Sequence, residues 1–278
     1  MIIDVHTHYM TDSCWGDEWV KNWQPRYGNK AWPQPSVEDF NISMRNIDVA
    51  IVFGIRATAA NVGTPNEILR NFLKKVEVRT IGFMALDPND KDVLEQMREG
   101  VSFGFRGIKL YPTLAKFDPR ETKFKFFFEA VQKNELVMLW HMGASPSARA
   151  DLRLSDPLLL DEVAQLYPGT THIIAHLGHP WQREAILVLR KNTKVFADIS
   201  GIWARPSDGF QALVRAQEWN VTNKLLFGSD YPLWAPAEAI DGLRHIGTLR
   251  AGSLPFVTKE TIEGIIEQNS LDKLGLEF

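Results

Sequence analysis

Eight short apolar runs recur along the chain, at residues 2–5, 49–53, 80–84, 107–110, 136–140, 171–175, 195–199 and 225–227. They are built mainly from Val, Ile, Leu and Phe, without the strict alternation of a strand that has one wet face. Unbroken apolar runs of this kind suit strands buried on both sides, as in a parallel sheet covered by helices. The segments between them carry helix signals. Thr64-Pro65-Asn66-Glu67 offers a capping hydroxyl, a proline at the first helical position and a glutamate at the third. Ile68, Leu69, Phe72, Leu73 and Val76 then share one helical face. Asp118-Pro119 and Asp156-Pro157 open similar segments, and Ser36 is placed to cap a helix running to Ile47. Further helices are predicted over 90–102, 181–190, 207–219, 236–245 and 258–269.

Alternating strands and helices leave two main architectures, an open doubly wound sheet or a closed barrel. The glycine-rich dinucleotide fingerprint is missing after the first run, where His6-Thr7-His8 stands instead. Eight evenly spaced strands favour a single (β/α)₈ TIM-type barrel over residues 1–278. Residues 9–35 interrupt the pattern as a Trp-rich loop inserted after strand one, suited to a lid or an interface arm; it holds Trp15, Trp19, Trp23 and Trp32 of the nine tryptophans. A core of this size needs no disulfide, and the single cysteine, Cys14, has no partner for an intramolecular bridge. With no basic leader ahead of an apolar stretch and no run long enough to span a bilayer, a cytoplasmic protein is expected. The net charge of −3 gives no reason to expect nucleic acid or a membrane surface as partner.

In a parallel barrel, functional groups gather at the carboxyl ends of the strands. Read in order, those ends carry His6 and His8, Arg56, Lys109 and Tyr111, His141, His176 and Asp230. Strand side chains repeat with period two, so His6 and His8 face the same way, and the central mouth is one direction open to them. Imidazoles and a carboxylate meeting there would form a site for a divalent cation, with Zn²⁺ the best match and Mn²⁺, Fe²⁺ or Co²⁺ also suited. Such an ion can acidify water or polarise a substrate oxygen. Each residue also has a plainer role open to it: a hydrogen-bonded histidine pair, a strand cap, or a turn aspartate before Tyr231-Pro232. His172 is expected at the far end of its strand, away from the mouth.

Asp4-Val5-His6-Thr7-His8, Gly107-Ile108-Lys109-Leu110, Ala175-His176-Leu177-Gly178 and Gly228-Ser229-Asp230-Tyr231-Pro232 resemble, in this order, the amidohydrolase superfamily. The nearer likeness is to its amidohydrolase 2 branch, which includes aminocarboxymuconate-semialdehyde decarboxylase. The resemblance implies a distorted barrel with one divalent metal at the mouth. His6, His8, His141 and Asp230 would be its ligands, and His176 would stay off the metal as acid, base or water-orienting group, as in one-metal members, or bind a second metal, as in two-metal members. Asp230 would also take a proton from the water. A carboxylated lysine at the Lys109 position bridges two metals in some relatives, but the surrounding Gly-Ile-Lys-Leu-Tyr-Pro run is common in the one-metal branch.

The leading functional expectation is hydrolysis of a small amide, ester or lactone bearing a carboxylate, with His176 and Asp230 catalytic and Arg56 and Lys109 aimed at that carboxylate. The alternative is non-oxidative decarboxylation of an unsaturated or aromatic acid, with Trp203 and Trp234 (and Trp181) forming an apolar wall. A barrel with a purely structural metal ranks last, because structural zinc sites are usually closed and contain cysteine. The expected partner is a small-molecule substrate, with a homo-oligomer left open by the aromatic insert.

Overall fold

The computed structural model describes residues 1–17, 34–145 and 147–277. Eight parallel strands pair in chain order: β1 (Ile3–His8), β2 (Val49–Phe53), β3 (Arg79–Ala85), β4 (Gly107–Leu110), β5 (Val137–Trp140), β6 (His172–Ile174), β7 (Val195–Asp198) and β8 (Leu225–Leu226). The sheet curls until its ends meet. The Val5 N–H donates to the Phe227 carbonyl at 3.0 Å, Asp230 N–H to His6 at 2.9 Å and His8 N–H to Tyr231 at 2.7 Å. β8 is only two residues long, so the segment following it carries most of this closure, which distorts an otherwise regular (β/α)₈ barrel.

Alternation along each strand sorts side chains into two layers. Val49, Ile51 and Phe53 of β2, with Ile81, Phe83, Val137 and Leu139, fill the barrel interior, and Leu271, Leu274 and Leu276 close its lower end. Ala50, Val52, Met138 and Trp140 face outward into the layer beneath the helices. Each large side chain so buried contributes roughly 1.5–3 kcal/mol, enough in sum to order the chain without cross-links.

Most helices follow the predicted spacing, but Asp118-Pro119 opens none: the Asp118 carboxylate is taken by Arg120, and the helix starts at Lys125. Ser36 caps Val37–Ser43 through a reciprocal capping box with Asp39, though that helix ends before Ile47. Thr64 does not cap its helix. Its hydroxyl donates to the Ile55 carbonyl at 3.1 Å and accepts from the Ile55 N–H at 3.2 Å, and Asn66–Leu73 begins after Pro65. Thr64 is thereby spent on holding the two-stranded ribbon of Arg56–Ala57 and Val62–Gly63. Of the predicted insert, residues 18–33, including Trp19, Trp23 and Trp32, lie outside the described residues; Trp15 bridges to Val62. Among the described residues no helix is long and apolar enough to cross a membrane.

Candidate metal centre

β1 solves a problem that period two alone would create. Counted from Ile3 and Val5, which face the interior, simple alternation would turn His6 and His8 outward. The register against β2 shifts instead: Asp4 to Thr7 spans three residues where Ala50 to Val52 spans two. This bulge re-aims the strand at the barrel rim. His6 then follows Val5 inward, packing edge-on against Phe53 at 5.0 Å between ring centres, and His8 does the same at 4.7 Å. Asp4 supports the irregular backbone, its Oδ1 accepting from the N–H groups of His6 (3.1 Å) and Ser229 (3.0 Å). Burial raises the Asp4 carboxyl to about 7 against these hydrogen bonds.

Three donor atoms converge here. His6 Nε2 and His8 Nε2 are 3.2 Å apart, and Asp230 Oδ1 lies 3.4 Å from the first and 3.3 Å from the second. Ligands held at about 2.0–2.1 Å by a tetrahedral ion stand about 3.3–3.4 Å from one another, so the triangle has the dimensions that a divalent cation requires. A proton on His8 Nε2 could serve two of these contacts. It would leave the His6–Asp230 approach, a lone pair facing a carboxylate, without a proton between them, eased by the Lys109 Nζ at 3.5 Å from His6 Nε2. The donor set therefore fits a metal better than it fits a hydrogen-bonded cluster.

The electrostatics agree. Burial pushes His8 down to about 3 and His176 to about 4, in both cases against the pull of Asp230, so both rings are neutral and able to act as ligand or base. Burial raises the Asp230 carboxyl, but the contact with His8 and the neighbouring imidazoles of His6 and His176 outweigh it and hold the carboxyl at about 2. Asp230 is thus ionised at neutral pH. Its backbone sits in the left-handed region at φ 63°, as do His176 at 54° and Leu177 at 48°. For residues other than glycine this costs on the order of 1–3 kcal/mol each, a strain that clusters where side-chain aim matters.

His6 is held from behind. Its Nδ1 donates to Asp198 Oδ2 at 2.9 Å, the arrangement that orients a metal-binding imidazole and leaves Nε2 as the free lone pair. Asp198 closes β7 and is fully buried. Burial works against its ionisation, but the imidazole of His6 hydrogen-bonded to it, with His176 and Ser200, holds its carboxyl well below the usual range. Sequence reasoning missed Asp198 and Ser200. The signal was an acid at the end of an apolar strand, but its partner is 192 residues away. Asp198, His6 and His176 also gather donor atoms within 4.8 Å of one another. That second group is already committed: Asp198 accepts from His6 Nδ1, His176 N–H, Ser200 N–H and Ser200 Oγ.

The remaining predicted residues surround this centre in different ways. Lys109, 1% exposed, brings Nζ to 3.5 Å from His6 Nε2 and 4.7 Å from the centre of the Phe53 ring. Burial lowers it to about 8 against the attraction of Asp198 and Asp230. His141 is buried, stacks on Tyr111 at 3.9 Å and meets His176 edge-on at 5.1 Å; its Nε2 faces the Ala144 carbonyl at 3.4 Å, and it is not among the clustered donors of the described residues. Arg56 is ion-paired to Asp90 at 2.6 Å and braces the ribbon beside the mouth. Trp203 is packed against Gly242 and meets Trp234 edge-on at 5.8 Å, while the partly buried Trp234 crosses Gly201 at the end of β7. His172 opens β6 on the outer face, where its Nδ1 accepts the indole N–H of Trp140 at 3.2 Å. Two surface hollows, of about 700 Å³ around Phe128 and Tyr167 and about 450 Å³ around Arg70 and Phe103, contain none of these groups.

A sequence profile of the amidohydrolase family Amidohydro_2 matches residues 3–276. Among curated proteins, no match to the chain was found. Solved structures share the fold over essentially their full length. A probable 2-pyrone-4,6-dicarboxylic acid hydrolase from Acinetobacter baumannii, with citric acid bound, is 17% identical with a TM-score of 0.68, covering 99% of both chains. A 2,6-dihydroxybenzoate decarboxylase complexed with 2,6-dihydroxybenzoate is 16% identical with a TM-score of 0.67, again over 99% of each chain. An amidohydrolase from Burkholderia multivorans with bound zinc is 14% identical with a TM-score of 0.71 over 100% of each.

Proposed function

Because the chain belongs to the amidohydrolase family, whose members are metal-dependent enzymes, we propose that it hydrolyses a small carboxylate-bearing amide, ester or lactone. The observation that carries this reading is the His6–His8–Asp230 triangle, with an ionised carboxylate at one corner and neutral His176 next to it. His6, His8 and Asp230 would hold one divalent ion, Zn²⁺ being the best match to imidazole and carboxylate, and His141 meets His176 edge-on at 5.1 Å. Such an ion supplies acidification of water and polarisation of a carbonyl oxygen.

The protein's own groups do the rest. Asp230, ionised at neutral pH, takes the proton of the attacking water and returns it to the leaving group. His176 hydrogen-bonds that water. Lys109 offers an ammonium on the floor of the mouth for a substrate carboxylate. Arg56, paired with Asp90, contributes by fixing the ribbon and reaches substrate only through its remaining guanidinium N–H groups. The hydrolase among the structural neighbours acts, by its name, on a cyclic ester bearing carboxylates, which is the substrate class favoured here.

A second reading is decarboxylation of an unsaturated or aromatic acid. Its support is the Trp203–Trp234 pair on the segments that follow β7 and β8, together with the decarboxylase neighbour. Zinc-loaded protein assayed against lactones, esters and amides, and in parallel for carbon dioxide release from aromatic and dienoic acids, separates the two. Ester or lactone cleavage lost in Asp230→Asn supports hydrolysis; carbon dioxide release without cleavage replaces it with the second reading.

A further inference from the structure

We propose that Asp198 and Ser200 are positioning residues that fix the proton of His176 on Nδ1 and keep its Nε2 as a lone pair, so that His176 serves the reaction as an acceptor. This assignment rests on the hydrolytic reading for its chemical meaning, but its geometry stands apart from it. His176 Nδ1 lies 2.7 Å from Ser200 Oγ and 3.3 Å from the Ser200 carbonyl oxygen. A carbonyl oxygen can only accept. The Ser200 hydroxyl has one proton, and it is directed to Asp198 Oδ1 at 2.5 Å, so toward His176 this oxygen accepts as well. Both neighbours of Nδ1 are acceptors, and Nδ1 must carry the hydrogen. In a neutral imidazole that leaves Nε2, on the opposite side of the ring, without one.

One carboxylate thereby sets two rings. Asp198 Oδ2 accepts from the Nδ1–H of His6 directly, and Oδ1 acts on His176 through Ser200 while also accepting the backbone N–H groups of both His176 and Ser200. Asp198 is fully buried and Ser200 is 1% exposed, so water does not compete for these bonds. A chain of hydrogen bonds ending on a buried anion polarises each member toward the next. An imidazole prepared in this way can receive a proton or orient a water. It cannot hand a proton from Nε2 to a carbon atom until Nε2 has first been protonated, an added step that a decarboxylase would require.

The test reads the tautomer without turnover. Metal-free protein carrying ¹⁵N-histidine is examined by long-range proton–nitrogen correlation spectra at a pH well above the histidine range, with His6→Gln and His176→Gln used for assignment. Wild type and Ser200→Thr are expected to show His176 protonated on Nδ1, and Ser200→Ala to show a new Nε2–H population. Zinc-loaded Ser200→Ala should keep its metal content and KM while kcat for the cleaved substrate falls about 10-fold, with recovery in Ser200→Thr. A wild-type His176 protonated on Nε2, or a tautomer unmoved in Ser200→Ala, overturns the assignment. Nδ1 protonation in a protein that cleaves no ester, lactone or amide would remove the hydrolytic reading and leave the tautomer assignment in place.

Discussion

His6 donates its Nδ1 proton to Asp198 across 2.9 Å, and this bond, joining the first strand to the seventh, aims a candidate ligand nitrogen at the barrel mouth. An amide in place of the carboxylate loses the charge that holds the imidazole in this tautomer. Asp198→Asn is expected to weaken Zn²⁺ binding about 10–100-fold, measured by competition with a chelator. An unchanged affinity would show that His6 does not depend on Asp198 for its aim.

Gly228 stands where the barrel closes. A Cβ there would come within 2.8 Å of the His6 Cβ and 3.5 Å of the Asp198 Cβ. Gly228→Ala must therefore push β1 away from the segment after β8. A loss of about 1–3 kcal/mol in denaturant unfolding is expected, together with weaker metal binding. Wild-type stability and affinity in this variant would mean that the closure is looser than the contacts imply.

His172 gives a pH signal free of the metal site. It is buried on the outer face of β6, and burial pushes it down to about 3. The unfolded chain takes up this proton through about 6.5 while the native state does not, so stability falls as pH drops from 6.5 toward 3. Between pH 6.5 and 4 the wild type should lose roughly 3 kcal/mol more than His172→Gln, a variant that can still accept the Trp140 N–H. Parallel stability curves for the two proteins would contradict a neutral buried His172.

Asp230 is expected to be both ligand and base. Asp230→Asn should lower kcat by at least about 10²-fold, the usual scale for a missing general base, and also weaken metal binding. Retained turnover would move the base to another group, with His176 next in line.

Arg56→Gln breaks the bond to Asp90 and should cost about 1 kcal/mol of stability, since Arg56 remains partly exposed. If its role is to brace the ribbon, KM for a carboxylate substrate changes little. A large rise in KM with stability intact would make it a direct substrate contact.

Much of this arrangement was legible in the residues alone, for reasons that differ by element. β2 coincides with its apolar run because a strand buried on both faces must be apolar throughout, and β4 keeps its predicted bounds although it carries the buried Lys109. β1 runs three residues past its apolar run, to His8, because backbone pairing continues where side chains turn polar. The bulge that turns His6 and His8 inward left no trace in the hydrophobic pattern. Neither did Asp198 and Ser200, whose meaning depends on barrel closure bringing β7 beside β1. Arg56 was legible as a cation at a strand end, but its partner Asp90 lies on the next connection, beyond the reach of any local motif.

The central claim is that His6, His8 and Asp230 share one divalent cation. Elemental analysis of purified protein, with and without prior exposure to Zn²⁺, tests it most directly. One divalent ion per chain is expected in the wild type, and its loss in His6→Ala and His8→Ala variants that remain folded. A zinc-exposed wild type without bound metal, or full metal content in both folded variants, would contradict it.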